Sequence, residues 1–264
     1  MGKWFRIVAK EESADIYIYD EIGMWGVTAQ SFSNALQAVK AKKRIDLYLN
    51  SPGGDVFDGM AIYNALLPLR DRLTVHVMGL AASMASVVML AASRRIVYTG
   101  AMVMVHNPWG CAVGTADEMR KTAGTLDKIT DQIVDIYANA TRSEPSDIRS
   151  LMDKETWFCA SEALGHGFAT ETTEVEAAAS LKKRFAMKFH NTPLEIVVDD
   201  DEPTLREAED ALRDAGFSDS RAKAILAKGF IRRDGGRLDH REGGGSWAEA
   251  LAIVENMKNT MEAI

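Results

Sequence analysis

Cysteine is scarce in this sequence: Cys111 and Cys159 are the only two among 264 residues. Two thiols without CxxC or Cys/His spacing exclude a disulfide framework and a zinc site of the usual kind. They suit a reducing compartment, and a cytoplasmic location is expected. Basic residues are in deficit, with 31 Lys and Arg against 38 Asp and Glu and a net charge of −7. That sign disfavours a face built to neutralise phosphates, so no nucleic-acid partner is expected. Long apolar runs are missing too. The longest nearly uncharged stretch, residues 77–92, contains Gly79, Ser83 and Ser86 and is followed by Arg94 and Arg95. It is too short and too polar for a membrane span. Residues 1–14 lack the basic head and apolar run of a secretory signal. Neither His/carboxylate spacing nor a GxGxxG loop occurs, so no metal and no organic cofactor are expected.

What remains is ordinary globular material, 47% hydrophobic and 26% charged, enough for one large domain or a domain with an appendage. The first two thirds alternate strands with helices. Strands are expected over residues 16–19, 45–49, 74–78, 95–98 and 102–105, and helices over 28–39, 56–67 and 81–92. This rhythm predicts an α/β core. Thr115 followed by Glu118 is a capping-box signature, and Met119, Ala123, Leu126, Ile129, Ile133 and Ile136 recur at helical spacing behind it. One long helix is predicted there, either with its far end a candidate for packing on another subunit or lying wholly along its own domain.

After Phe168 the pattern changes. Residues 171–176 are acidic and read as the approach to a domain edge, and the four carboxylates of 199–202 read as a solvated linker. A helical hairpin is expected over 203–227, a polar glycine-rich tether over 234–245 and a last amphipathic segment over 247–257. The division drawn is 1–185 for the main domain and 186–264 for linker and tail.

Two turns attract attention. Asn50-Ser51-Pro52-Gly53-Gly54 lies between a strand and a helix, where Pro fixes φ and two glycines allow N–H groups to line an open surface. Many plain loops share that composition. Gly79-Leu80-Ala81-Ala82-Ser83-Met84-Ala85-Ser86 carries a strand into a helix through small residues that leave a hydroxyl uncovered. There the N–H groups of Ser83 and Met84 are placed to face a developing oxyanion, although an N-cap or packing serine has the same surroundings and GxSxG is absent. Ser86 is the secondary candidate.

A serine needs a base. Of five histidines, His106 ends a strand and opens a loop with Asn107-Pro108-Trp109. His76 reads as a strand residue and His166 as a helix end, while His190 and His240 carry little weight. A carboxylate that orients the imidazole is then required. Asp153 and Glu155, both just ahead of Trp157-Phe158, fit equally on residue chemistry.

These three motifs, the third being Met104-Val105-His106-Asn107-Pro108, together resemble the ClpP-type serine peptidases over about residues 16–169. The resemblance implies a ClpP/crotonase-like α/β fold of repeated ββα units with a long protruding helix. Ser83 falls on the nucleophile, His106 on the base, and the N–H groups of Gly54 and Met84 on the oxyanion hole. The third catalytic residue, usually aspartate, aligns with Glu155, a departure from the pattern. Ala85 in place of glycine and Trp109 beside the groove are two more departures. The resemblance also implies a polypeptide substrate and a homo-oligomeric ring, with rings stacked through the long helix. The start of the chain shows no mobile apolar loop for an ATPase partner, so dependence on an unfoldase is not expected. Glu155-Thr156-Trp157 and the tail stretch 205–218 are most similar to the ClpP-related head maturation proteases of tailed bacteriophages, which cleave scaffold and capsid-related chains. Two other classes share parts of this pattern: an inactive shell or scaffold protein on the same fold, and an acyl-CoA enzyme with a backbone oxyanion hole but no need of a serine nucleophile.

Overall fold

Strand β1 (Phe5–Ala9) and β2 (Ser13–Ile18) form a hairpin, followed by α1 (Ala29–Gln37), β3 (Arg44–Ser51), α2 (Val56–Leu66), β4 (Leu73–Ala82) and α3 (Met84–Met89). Next come β5 (Arg94–Thr99), β6 (Met102–Val105), α4 (Ala116–Thr141), α5 (Pro145–Asp153), β7 (Thr156–Cys159) and α6 (Ala160–Gly165). Last are β8 (Glu171–Glu176), β9 (Leu181–Lys182), α7 (Lys183–Ala186) and β10 (Val197–Val198). The computed structural model describes residues 5–198 other than 25, 177, 178 and 187. These fall in one compact unit, Met1–Asp199, and the hairpin, tether and amphipathic segment expected beyond it lie outside the described residues.

The expected α/β class holds. The central sheet runs β1-β2-β3-β4-β5-β8, antiparallel at β1/β2 and parallel from β2 to β8. Alternation along the strands explains the layering, because successive side chains point to opposite faces. Ile45, Leu47 and Leu49 of β3 are fully buried in one cluster with Val75, Val77, Phe32 and Ile62. Each such side chain contributes about 1.5–3 kcal/mol on leaving water. The residues between them form a row across the strands. Tyr17 pairs with Tyr48 and Tyr48 with His76 in register, and their rings stack at 4.9 Å and 4.8 Å. His76 is thus a face residue, its Nε2 also 3.3 Å from Asp46 Oδ1.

Two expectations are corrected. The helix anticipated over 81–92 is shorter, because β4 continues through Ala82 and only Met84–Met89 is helical. Leu80, Ala81 and Ala82 pair with Met102, Val103 and Met104 of β6, and ladder pairing overrides the helix preference of alanine. The acidic stretch 171–176, read as an approach to a domain edge, forms a strand of the main sheet, β8, paired to β5 with Ile96 opposite Glu171. A lateral strand tolerates acidic side chains in solvent, and the Arg94 guanidinium forks onto Glu171 with two bonds of 2.8 Å.

Beside this edge, Arg95 is 5% exposed and has carbonyls for partners: it donates to Phe168 O, Ala92 O and Gly167 O at 2.8, 2.9 and 3.1 Å. These bonds tie β5 to the turn that follows α6. Arg95→Ala leaves buried acceptors unpaired, and urea unfolding is expected to show a loss of about 2–4 kcal/mol. An unchanged midpoint would contradict this role.

Candidate active site

The sheet's strand ends assemble the site. Strands β3 and β6 both run parallel to β4 and flank its final residues, so three carboxyl ends emerge together. Ala82 pairs with Met104, and the residues just beyond, Ser83 and His106, come side by side. Ser51 pairs with Ala81, which lays Pro52-Gly53-Gly54 against the serine turn. Open α/β sheets place their ligand crevices at strand carboxyl ends in the same way.

Ser83 Oγ lies 2.8 Å from His106 Nε2. The serine sits at φ 53°, ψ −125°, a backbone conformation rare for a residue with a side chain and costing about 1–3 kcal/mol. Its surroundings hold that turn. Ser83 N–H donates to Met104 O at 3.0 Å, and Ser83 O accepts from both the N–H and the hydroxyl of Ser86, at 2.9 and 2.6 Å. The Ser86 hydroxyl is buried and also bonded to Tyr137 Oη at 2.7 Å. Two readings from the sequence are corrected here. Ser86 supports the turn and does not face the groove, and Ser83 N–H is consumed by β6 and unavailable to an oxyanion.

The remaining two N–H groups are available. Neither Gly54 N–H nor Met84 N–H has an acceptor among the described residues, whereas the neighbouring Gly53 N–H bonds Ser51 Oγ and Asp55 N–H bonds Ile22 O. Gly53, at φ +87°, passes so close to the serine turn that a Cβ there would stand 2.5 Å from Ala82 O and 2.8 Å from Met84 N. The loop and the turn are therefore in direct contact.

The carboxylates separate. Antiparallel pairing of Val105 with Thr156 brings residue 155 opposite residue 106. Glu155 is 6% exposed and at φ 47°, yet no hydrogen bond joins it to His106. Its oxygens accept from His190 N–H at 2.7 Å, Asn191 N–H at 2.6 Å and Trp157 Nε1 at 3.4 Å. Asp153 turns to Asn107 Nδ2 at 2.8 Å. A direct carboxylate-imidazole hydrogen bond from either residue is thus absent. Glu155 still acts through space. Burial pushes the His106 imidazole below its ordinary value, the Glu155 charge opposes that shift, and His190 adds to it.

A groove of about 280 Å³ runs past Ser83 and His106, with walls that include Phe57, Trp109, Phe185 and Phe189. Phe57 and Trp109 are 70% and 61% exposed at its rim. Behind the serine, Val56, Met84, Val87, Ile133 and Tyr137 line a second pocket of about 10 Å³, room for about one water. Among the described residues no cluster of ligating side chains could hold a metal ion, and no helix is long and apolar enough to cross a membrane.

Sequence reasoning set His190 aside and overlooked Phe189 and Asn191. All three adjoin Glu155 or His106, and Phe189 packs edge-on against the His106 ring at 5.4 Å. The one local signal was the apolar pair Phe185 and Phe189, four residues apart in a lysine-rich stretch.

With this geometry in view, the comparisons with known proteins point one way. A sequence model described as Clp protease matches residues 5–176. The ATP-dependent Clp protease proteolytic subunit 1 of Leifsonia xyli subsp. xyli (strain CTCB07) is 33% identical over 141 residues, covering 53% of this chain and 72% of that protein.

Proposed function

The chain belongs to the Clp protease family, and we propose that it is a serine endopeptidase that works through an acyl-enzyme on Ser83. The observation that carries this reading is the 2.8 Å contact between Ser83 Oγ and His106 Nε2, at the junction of two turns whose Gly54 and Met84 N–H groups have no acceptor among the described residues. His106 takes the hydroxyl proton as Ser83 attacks the peptide carbonyl. The oxygen that gains charge is held by the N–H groups of Gly54 and Met84, backbone donors fixed by their turns. The imidazolium then gives its proton to the leaving amine, and water, deprotonated by the same imidazole, releases the acyl group. Glu155 supplies the negative charge that favours the transient imidazolium.

The base must be neutral to accept a proton, and His106 titrates below the ordinary imidazole value of 6.5. The acid limb of kcat/KM is therefore expected to have its midpoint below pH 6.5, with activity flat from there to neutrality. A stopped assay on a peptide ester across pH 4.5–8, a range of roughly this width bracketing the imidazole, reads it. A midpoint above 6.5 would contradict the buried-base reading.

The finer proposal is maturation of phage heads, with capsid or scaffold chains as substrates. It is supported by the likeness of Glu155-Thr156-Trp157 and of residues 205–218 to head maturation proteases. A homo-oligomeric ring follows from family membership. In the proposed assembly it is the first half of α4, not the far end expected from the sequence, that meets another subunit, since its buried residues, Ile133, Val134, Tyr137 and Ala138, all lie in the second half. Intact-mass spectra of the chain co-expressed with a capsid or scaffold polypeptide are expected to show discrete truncated products. Uncut partners alongside an active enzyme would sink the phage proposal and leave the peptidase standing.

A further inference from the structure

We propose that Phe189 is a positioning residue for His106, and that Glu155 acts on the imidazole mainly through the strap it anchors rather than by a direct hydrogen bond. The inference rests on the hydrolase reading above and concerns how the base is held. With Ser83 Oγ–H donating to Nε2, the neutral imidazole carries its proton on Nδ1, and among the described residues that side of the ring has no hydrogen-bond partner. One bond at Nε2 leaves the ring free to swing about it. In triads with a carboxylate on Nδ1, that carboxylate removes this freedom. Here a different group restrains the ring.

The group is a strap over residues 188–192. The Phe189 ring meets His106 edge-on, with centroids 5.4 Å apart and planes at 85°, and meets Trp157 at 5.8 Å and 79°. T-shaped contacts of this kind are favourable and directional. They hold the plane of the imidazole and add apolar cover to it. The strap is fastened on both sides. Glu155 accepts His190 N–H and Asn191 N–H, and Asn191 Nδ2 donates to Lys154 O at 2.8 Å. Lys188 Nζ reaches Glu21 Oε1 at 2.8 Å across the groove. Bonds from two N–H groups to one buried carboxylate are charge-assisted, and they commit both Glu155 oxygens to the strap. Phe185 and Phe189 also pack on the cluster of Leu80, Ala82 and Met104 beneath the serine turn. One segment thus buries the base and walls the groove.

The charged and titratable groups around His106 are Glu155 and His190, with Lys188, Glu21 and Asp55 lining the same groove. Their effects on the imidazole make the idea testable. If Glu155 acted only by its own charge, its removal would lower the His106 titration midpoint. If it acts by anchoring the strap, its removal exposes the ring and raises that midpoint, because burial is the largest influence and His190 leaves with the strap.

The experiment uses the full chain and the variants Phe189→Ala, Phe189→Leu, Glu155→Ala and Glu155→Ala/Phe189→Ala. It reads kcat and KM on a short peptide ester and follows the His106 ring protons by NMR across pH. Phe189→Ala is expected to lower kcat about 10- to 100-fold with KM changed by less than about threefold. It should also raise the His106 midpoint, and Phe189→Leu, which keeps the apolar cover, should recover most of both. Glu155→Ala should raise the midpoint as well, and the double variant should be no worse than the poorer single one, since both act through one element. A lowered midpoint in Glu155→Ala, additive losses, or wild-type behaviour of Phe189→Ala would each overturn the proposal. Should Phe189→Ala fail to fold, Asn191→Pro removes one anchoring N–H and must shift the midpoint upward too. The titration does not require turnover. Midpoints that move as expected in a chain without hydrolysis would uphold the strap and refute the peptidase.

Discussion

Ser83→Ala abolishes hydrolysis: the expected loss in kcat on a peptide ester is roughly 10⁴- to 10⁶-fold, because an acyl-enzyme cannot form and the remaining machinery only binds. The fold should survive this change. Alanine has the same Cβ at φ 53°, the Ser83 N–H bond to Met104 O belongs to the backbone, and the Ser86 bonds end on the Ser83 carbonyl. Thermal unfolding is therefore expected within about 0.5 kcal/mol of the wild type. This combination separates chemistry from stability. A variant that retains a tenth or more of the wild-type rate would place the nucleophile elsewhere, and the buried, doubly bonded Ser86 offers no replacement.

Gly53→Ala is the second large effect, and it acts without touching a reacting atom. The added Cβ would stand 2.5 Å from Ala82 O, 2.7 Å from Ser83 Cβ and 2.8 Å from Met84 N, all in the serine turn, at a φ of +87° that alanine resists. Either the loop withdraws, taking Gly54 N–H out of its proposed donor position, or the turn shifts and Ser83 loses its 2.8 Å contact with His106. Loss of one oxyanion donor or a displacement of about 1 Å each cost around 10²-fold or more. A fall in kcat of about 10²- to 10³-fold is expected, with KM little changed. Wild-type kcat in a folded Gly53→Ala protein would show that the two turns do not need to touch.

The parts of this site that could be read from the sequence are those fixed by short-range chemistry. Ser83 follows a run of small residues, His106 ends a β-branched strand, and Pro52-Gly53-Gly54 announces a tight turn before a helix. Their order along the chain carried the resemblance. What pairing decides was hidden. That β4 runs on through Ala82 depends on β6, and the same pairing removes Ser83 N–H from the oxyanion site. The backbone partners of Glu155 lie 35 and 36 positions along the chain, and no periodicity connects them. Acidity concealed a strand at 171–176, where backbone pairing with β5 decides the structure. Local composition indicates which groups have chemistry to offer, and strand register decides which of them meet.

The most direct test of a reactive Ser83 is covalent capture. The purified full-length chain is treated with a fluorophosphonate, then weighed intact and mapped by peptide mass. The account predicts a single adduct on Ser83, formed progressively faster as pH rises through the His106 titration and absent from His106→Ala on the same timescale. A wild-type chain left unmodified where other serine peptidases react, or an adduct on any residue other than Ser83, would contradict it.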